Sequence, residues 1–162
     1  MTYRKMLYKS TRGGERGKSF ESVLVSPAYA LDGGLYVPEA IPMISSAQLI
    51  AWSRSTFQDV CAEVMSLFTG INIDILRGVT STAFRDFNVG GIPLPMSKFG
   101  DLIILDASLG PTLAFKDIGQ QIVAQLLNYY LGKQNRKAKI VVDTSSDTGI
   151  YLTKSLIITW GS

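Results

Sequence analysis

The sequence predicts an α/β protein that begins with a layer of helices and continues into the first part of a parallel sheet. Apolar residues recur at helical spacing over residues 46–68, which predicts one long helix or two consecutive helices, and again over residues 74–87, which predicts a further helix. Two short apolar runs at 102–105 and 139–142 flank a stretch at 114–131 whose apolar positions step by four. A strand, a helix of this length and another strand make one right-handed βαβ unit with parallel strands. Because one such unit cannot cover both faces of its sheet, the predicted sheet is incomplete.

Shorter elements are expected before the helical layer. Residues 8–18 are rich in Gly, Ser, Arg and Lys, which predicts a loop, and Ser19 is placed to cap a short helix. The Asp-Gly-Gly sequence at 32–34 predicts a turn, and the apolar residues 35–37 predict a brief strand or extended segment after it.

A change of texture near residue 90 predicts a domain boundary. The stretch 90–95 reads Gly-Gly-Ile-Pro-Leu-Pro, which is typical of a linker, and the run 102–105 beyond it is expected to be a buried strand. We therefore expect a helical domain over residues 1–90 and the start of an α/β domain over residues 91–162.

Composition excludes several classes of function. With 46% hydrophobic and 18% charged residues in 162, the chain has enough apolar material to fold. The formal charge is +3 and the basic residues are spread along the chain, so nucleic-acid binding is not expected. The sequence contains no histidine, which argues against a Ser-His-Asp hydrolase and against a zinc hydrolase. No metal site is predicted.

The chain is expected to be a soluble protein of the cytoplasm. Its single cysteine, Cys61, lies in an apolar run and is expected to be a buried, inert thiol in a reducing compartment. Charged residues follow Met1 without an apolar core, so no signal peptide is predicted. No apolar stretch approaches 18 residues, so no membrane span is expected.

A lysine stands where α/β sheets bind their ligands. Lys116 falls at the start of the predicted helix, directly after a Gly-Pro-Thr sequence at 110–112 that follows the first strand. Loops and helix N-termini at the carboxyl ends of parallel strands line the ligand crevice of such sheets. An amine held there can form a Schiff base with a carbonyl compound. The alternative for a lone lysine is an ordinary surface residue.

A hydroxyl-rich turn follows the second predicted strand. Residues 144–149 read Thr-Ser-Ser-Asp-Thr-Gly, and hydroxyls with backbone amides in a tight turn suit a carboxylate or phosphate. The alternative is an ordinary polar turn. Because the two loops are one βαβ unit apart, they are expected to lie side by side, which favours a shared site.

Four segments in order resemble the start of threonine synthase and the threonine synthase-like proteins. They are Ser10-Thr11-Arg12-Gly13, then Asp32-Gly33-Gly34-Leu35-Tyr36-Val37-Pro38-Glu39, then residues 110–117, then residues 144–149. The subgroup most similar to this chain is the animal threonine synthase-like 2 proteins. The resemblance implies part of a fold-type II pyridoxal phosphate enzyme, whose α/β domains enclose the cofactor.

The resemblance also implies roles for individual residues. Lys116 would carry pyridoxal 5′-phosphate and move protons at the substrate α and β carbons, while the cofactor takes up electrons. Asp147 would lie near the cofactor ring. Ser145, Thr148 and Gly149 would receive the substrate carboxylate. The implied substrates are small phosphorylated amino acids, O-phosphohomoserine or O-phosphothreonine, acted on by a phospho-lyase. Asp117 is expected to cap or salt-link the helix start.

The chain also departs from the family pattern. The usual Ser-Gly-Asp-Thr-Gly has serine at Ser146, a histidine common before Gly-Pro-Thr is Leu109 here, and residues 150–158 are more β-like than the helix of the family. The later phosphate-binding loop is absent, so we expect an N-terminal fragment. A second hypothesis is a catalytically inactive binding or signalling protein, secreted without a signal peptide, that self-associates through exposed apolar surface. A third is an unstable fragment.

Overall fold

The computed structural model describes residues 6–25, 29–87, 93–138 and 140. The chain divides into two compact units, Met1–Arg77 and Gly78–Ser162. Within the described ranges, no helix combines the length and the apolar character needed to cross a bilayer.

A three-stranded antiparallel sheet opens the first unit. Strand β1 is Leu7–Ser10, β2 is Lys18–Ser19 and β3 is Tyr36–Pro38, and β1 lies between the other two. The predicted strand at 35–37 is confirmed within one residue. The predicted loop at 8–18 is wrong at both ends, since β1 extends to Ser10 and β2 begins at Lys18. Strand β1 buries alternate residues in spite of its polar composition.

Three helices follow the polar caps that the sequence provides. The side chains of Ser19, Ser45 and Thr56 each accept a hydrogen bond from a backbone N–H in the first turn, which satisfies a donor left unpaired by the helix. Gly70 ends the third helix in a left-handed conformation, with φ 68°. These helices are α1 (Phe20–Leu24), α2 (Ser46–Trp52) and α3 (Phe57–Thr69).

Side-chain hydrogen bonds join these elements within the first unit. The Tyr8 hydroxyl of β1 donates to the carbonyl of Phe68 in α3 at 2.9 Å. The Trp52 indole N–H of α2 donates to the Glu63 carboxylate of α3 at 2.6 Å. The predicted helical region 46–68 is therefore confirmed as two consecutive helices that pack together.

Helix α4, Ile73–Ala83, confirms the next predicted helix but is shorter than expected. Asn72 caps it, since its side-chain oxygen accepts the N–H of Asp74 at 2.8 Å. The prediction had extended this helix to Phe87. In the structure the chain turns after Ala83, and the rings of Phe84 and Phe87 meet edge to face at 5.1 Å.

The second unit contains a β-hairpin that the sequence prediction missed. Strands β4 (Met96–Phe99) and β5 (Leu102–Leu105) pair antiparallel, joined by a two-residue turn in which Gly100 has φ 60°. The predicted strand at 102–105 exists, but the expectation that it is buried is wrong, since all eight strand residues are exposed. A Gly-Asp pair between two short runs is a hairpin signal that could have revealed β4.

Helix α5, Lys116–Lys133, confirms the long predicted helix. It passes through Gly132, which was expected to end it, and closes at Gln134. The predicted strand at 139–142 and its parallel pairing lie outside the described residues, apart from Ile140, which belongs to no element.

Candidate functional site

The segment between β5 and α5 begins with a local turn at Asp106. Its backbone N–H donates to the Pro95 carbonyl at 3.0 Å, which extends the hairpin by one bond. Its carboxylate accepts the hydroxyl of Ser108 at 2.6 Å and the N–H of the same residue at 2.9 Å. These two bonds lower the pKa of Asp106 below its usual value. The chain therefore leaves the hairpin in a fixed direction.

A tight turn over residues 110–113 comes next. The N–H of Leu113 donates to the carbonyl of Gly110 at 3.0 Å, and Pro111 occupies a position of the turn where its fixed φ is favourable. Leu113 has φ 63°, a left-handed conformation that costs a non-glycine residue roughly 1 kcal/mol. The chain thus reverses sharply just before the lysine helix, at a local energetic cost.

The carboxylate of Asp117 holds this turn against the helix. The Thr112 N–H donates to one carboxylate oxygen at 2.8 Å, and the Thr112 hydroxyl donates to the other at 2.7 Å. Asp117 is fully buried. Gly110 passes so close that a Cβ built on it would lie 2.7 Å from the Asp117 Cγ. We call these three residues, Gly110, Thr112 and Asp117, the carboxylate clamp.

Lys116 is the first residue of α5 and directly precedes the clamp aspartate. Its side chain is half-buried. At the start of the helix, two backbone hydrogen bonds join residues that are three apart. The Asp117 N–H donates to the Ala114 carbonyl at 3.0 Å, and the Ile118 N–H donates to the Phe115 carbonyl at 3.2 Å. The lysine therefore emerges at the positive end of a helix of 18 residues, where a bound anion is favoured.

The structure places one of the predicted site residues and leaves the others untested. Lys116 lies where the sequence predicted it, at the helix start after the Gly-Pro-Thr turn. The remaining predicted residues, Ser145, Asp147, Thr148 and Gly149, lie outside the described residues. The expected meeting of the two loops stays a prediction. Among the described residues there is no cluster of carboxylates and cysteine suited to a metal ion.

Asp117 does not act as the sequence suggested. It was expected to cap or salt-link the start of the helix, but its carboxylate instead reaches back to Thr112 in the preceding turn. The helix N-cap position is Phe115, and no side chain caps the helix there. The sequence shows that Thr112 and Asp117 are five residues apart. It does not show that the chain between them adopts a left-handed conformation at Leu113.

Gln120 is a further residue that sequence reasoning missed. Its side-chain oxygen is buried, and no hydrogen-bond donor reaches it within the described part of the chain. It lies four residues after Lys116 on α5, so the two side chains leave the same face of the helix. A buried amide oxygen is usually satisfied by a donor, so Gln120 is an acceptor available one turn from the lysine.

The two N-terminal motifs form a separate network in the first unit. Asp32 accepts the Ser10 hydroxyl at 2.7 Å and the backbone N–H groups of Gly34 at 2.9 Å and Gly14 at 2.8 Å. These donors, with Ser10 the largest contributor, lower the pKa of Asp32. The Arg12 guanidinium donates to the Asp32 carbonyl at 3.0 Å. The motif that begins at Asp32, to which the sequence assigned no catalytic role, therefore joins its own turn to the motif that begins at Ser10.

Glu15 extends this network from the loop between β1 and β2. It pairs with Lys18 at 2.6 Å, accepts the Tyr36 hydroxyl at 2.6 Å and accepts the Leu31 N–H at 2.9 Å. The Lys18 contact is the main reason why the pKa of Glu15 is lowered to about 2. The contact with Glu15 raises the pKa of Lys18, and the hydrogen bond that Tyr36 donates to Glu15 raises the pKa of Tyr36. Glu15 therefore connects Lys18 of β2 with Tyr36 of β3.

Comparison with known proteins identifies the family. The family model described as threonine synthase N terminus matches residues 7–84. Threonine synthase-like 2 of Xenopus laevis is 40% identical over 155 residues, covering 93% of this chain and 32% of that protein. The chain belongs to the threonine synthase family. As predicted from its motifs, it corresponds to the N-terminal portion, and it resembles the threonine synthase-like 2 proteins.

Solved threonine synthase structures confirm the predicted partial α/β fold. The structure of threonine synthase from Brucella melitensis, which is bound to pyridoxal phosphate, matches with a TM-score of 0.87 and 31% identity, over 93% of this chain and 33% of that one. Threonine synthase from yeast matches with a TM-score of 0.80 and 30% identity, over 94% of this chain and 33% of that one. The chain spans about a third of the length of the threonine synthase-family relatives it matches.

Proposed function

We propose that this chain supplies the lysine side of a pyridoxal phosphate site in a threonine synthase-like phospho-lyase. The observation that carries the proposal is the position of Lys116, a half-buried residue in the first turn of α5 directly after a clamped turn. A related threonine synthase that covers 93% of this chain is known with pyridoxal phosphate bound. The proposed substrates are small phosphorylated amino acids, O-phosphohomoserine or O-phosphothreonine.

The described residues fit such a cofactor. A primary amine is the group that condenses with the aldehyde of pyridoxal phosphate, and the N-terminus of α5 beside it favours a negatively charged neighbour. When bound, the cofactor serves as an electron sink for carbanion chemistry. On this proposal Lys116 holds the cofactor and then moves protons at the substrate α and β carbons, which allows phosphate to leave.

The hydroxyl-rich turn completes the proposed site. Asp147 would help to hold the cofactor, and Ser145, Thr148 and Gly149 would bind the substrate carboxylate with hydroxyl and backbone donors. We place the site in the α/β domain proposed for residues 91–162, after the helical domain of residues 1–90. A cytoplasmic location is proposed as well, because a lone thiol in an apolar helix suits a reducing compartment.

The test is spectroscopic and uses the full chain. Purified protein mixed with pyridoxal phosphate should develop the absorbance of a Schiff base, and this band should disappear in Lys116→Ala. The matched control is Lys133→Ala, at the opposite end of the same helix, which should keep the band. If the band is unaffected by Lys116→Ala, the cofactor assignment is wrong. Release of phosphate from O-phosphohomoserine and O-phosphothreonine then distinguishes the two substrates.

A second candidate function is self-association of a non-catalytic product. It is favoured by the exposed hairpin, in which the apolar residues on β4 and β5 are 46–72% exposed. The register places Phe99, Leu102 and Ile104 on one face. Together the exposed apolar side chains of both faces amount to roughly 700 Å², near the ~800 Å² per partner of a standard interface. One face supplies only about half of this area, so a second copy of the chain would bind weakly.

Sedimentation velocity over a range of protein concentrations tests this candidate. A concentration-dependent dimer that is abolished by Ile104→Thr would support it, because threonine keeps a β-branched side chain but lowers the apolar area. Ser97→Thr, at the position opposite Ile104, is the control and should still dimerise. A monomer at all concentrations would eliminate the candidate. The comparisons give no support to a secreted signalling role.

A further inference from the structure

The clamp aspartate is buried more deeply than the lysine that it follows. Asp117 is fully buried, whereas Lys116 is half-buried. Removing a carboxylate from water is costly unless its oxygens find strong donors. Both oxygens of Asp117 do find donors, and both donors belong to Thr112. A group that is buried and bonded in this way holds its neighbours in one arrangement.

The clamp fixes the backbone on both sides of the lysine. On the N-terminal side, the turn from Gly110 to Leu113 is closed by a backbone bond of 3.0 Å and leads into a left-handed residue. On the C-terminal side, Asp117 is part of the first turn of α5. The two Thr112 contacts tie these ends together across Lys116. The lysine Cα therefore has little freedom to move relative to the turn.

The close packing of Gly110 against Asp117 also restricts the backbone next to the lysine. A Cβ built at this position would lie 2.7 Å from the Asp117 Cγ, inside van der Waals contact. The turn and the carboxylate are thus in direct contact, with no room for an intervening side chain. Glycine at this position lets the carboxylate reach both Thr112 donors.

We infer that Asp117 is a positioning residue, which acts through Thr112 to aim the amine of Lys116. This inference rests on the proposed function, because it assigns the clamp a purpose at that same site. Reactive groups need to be held within a fraction of an ångström of their productive geometry, and residues behind them commonly do so. Asp117 itself touches no reacting atom on this account.

Two substitutions at Thr112 test the inference. Thr112→Ser keeps the hydroxyl and the N–H, whereas Thr112→Val keeps the shape but removes the hydroxyl that donates to Asp117. Asp117→Asn is a further variant, since an amide accepts only one of the two bonds. Because this variant can fail to fold, the thermal melt of each protein is recorded, and the Thr112 pair alone is sufficient for the test.

Two readouts at Lys116 are compared in the full chain. The first is acetylation by acetic anhydride, quantified by peptide mass spectrometry relative to Lys133. A loosened first turn exposes the half-buried lysine, so Thr112→Val should raise this ratio about fivefold, as expected for the loss of one hydrogen bond of about 1 kcal/mol. The second is the pyridoxal phosphate absorbance, which should fall in Thr112→Val and recover in Thr112→Ser.

Each result decides between the alternatives. Equal acetylation ratios in Thr112→Val and Thr112→Ser would overturn the inference, as would an equal rise at Lys133, which indicates general loosening of the helix. If the unmodified chain shows no absorbance band, the proposed function has failed, and the acetylation ratio alone then decides whether the clamp positions Lys116. The two proposals therefore fail in distinguishable ways.

Discussion

Replacing Gly110 with alanine is expected to destabilise the second unit and to displace the lysine helix from its turn. The new Cβ would lie 2.5 Å from the Asp117 Cβ and 2.7 Å from its Cγ, about 1 Å inside normal carbon–carbon contact. The turn and the first turn of α5 must separate to relieve this overlap. Overpacking of this kind costs about 1–3 kcal/mol.

Urea denaturation followed by far-UV circular dichroism measures this cost. The midpoint of Gly110→Ala should fall by about 1 M, given typical denaturant slopes for small proteins. The matched control is Gly119→Ala on the same helix, where a Cβ would meet nothing within 4 Å. Alanine is favoured over glycine inside a helix by roughly 0.5–1 kcal/mol, so the control should be neutral or stabilising. If both variants have the same midpoint, the clamp geometry described here is incorrect.

Three further outcomes are expected. The pKa of Glu15 is lowered from 4.5 to about 2 in the folded state. The contribution of Glu15 to the free energy of unfolding is therefore present above pH 4.5 and is lost as the pH falls toward 2. Glu15→Gln should flatten that part of an acid-unfolding curve. Leu113→Gly should raise the melting temperature, because it relieves a φ of 63° worth about 1 kcal/mol. Leu76→Ala should cost about 2–5 kcal/mol in chemical denaturation, since Leu76 is fully buried. If the stability of a variant equals that of the unchanged chain, the structural feature on which its prediction rests is contradicted.

The helices of this chain could be predicted because their signals are local. Apolar spacing located α2, α3 and α5, and Ser19 marked the start of α1 through its own side chain. Their ends were harder to predict. Gly132 was expected to terminate α5, but the helix continues past it to Lys133, since a single glycine costs about 1 kcal/mol and neighbouring turns can offset that.

Strand pairing was predicted less well, because it depends on residues distant in sequence. Strand β1 carries Lys9 and Ser10, which resemble loop residues until β3 is seen to pair with them. The run Leu102–Leu105 was interpreted as a buried parallel strand, since an apolar run does not reveal its partner. In the structure its partner is the preceding strand Met96–Phe99, across a short turn.

At the candidate site, the sequence identified the reactive group but not what supports it. Lys116 could be found from the turn before it and from the family motif around it. The contact between Asp117 and Thr112 spans the left-handed Leu113, and no residue preference predicts leucine in that conformation. The link between Asp32 and Ser10 was likewise invisible, although both motifs had been recognised.

Locating the attachment site of pyridoxal phosphate tests the central claim most directly. The full chain is incubated with the cofactor, reduced with borohydride and digested, and the modified peptides are identified by mass spectrometry. The proposed function predicts that the phosphopyridoxyl group is found on Lys116, with little at the exposed residues Lys98 and Lys133. Modification spread evenly over these three lysines would contradict a specific cofactor lysine at the start of α5.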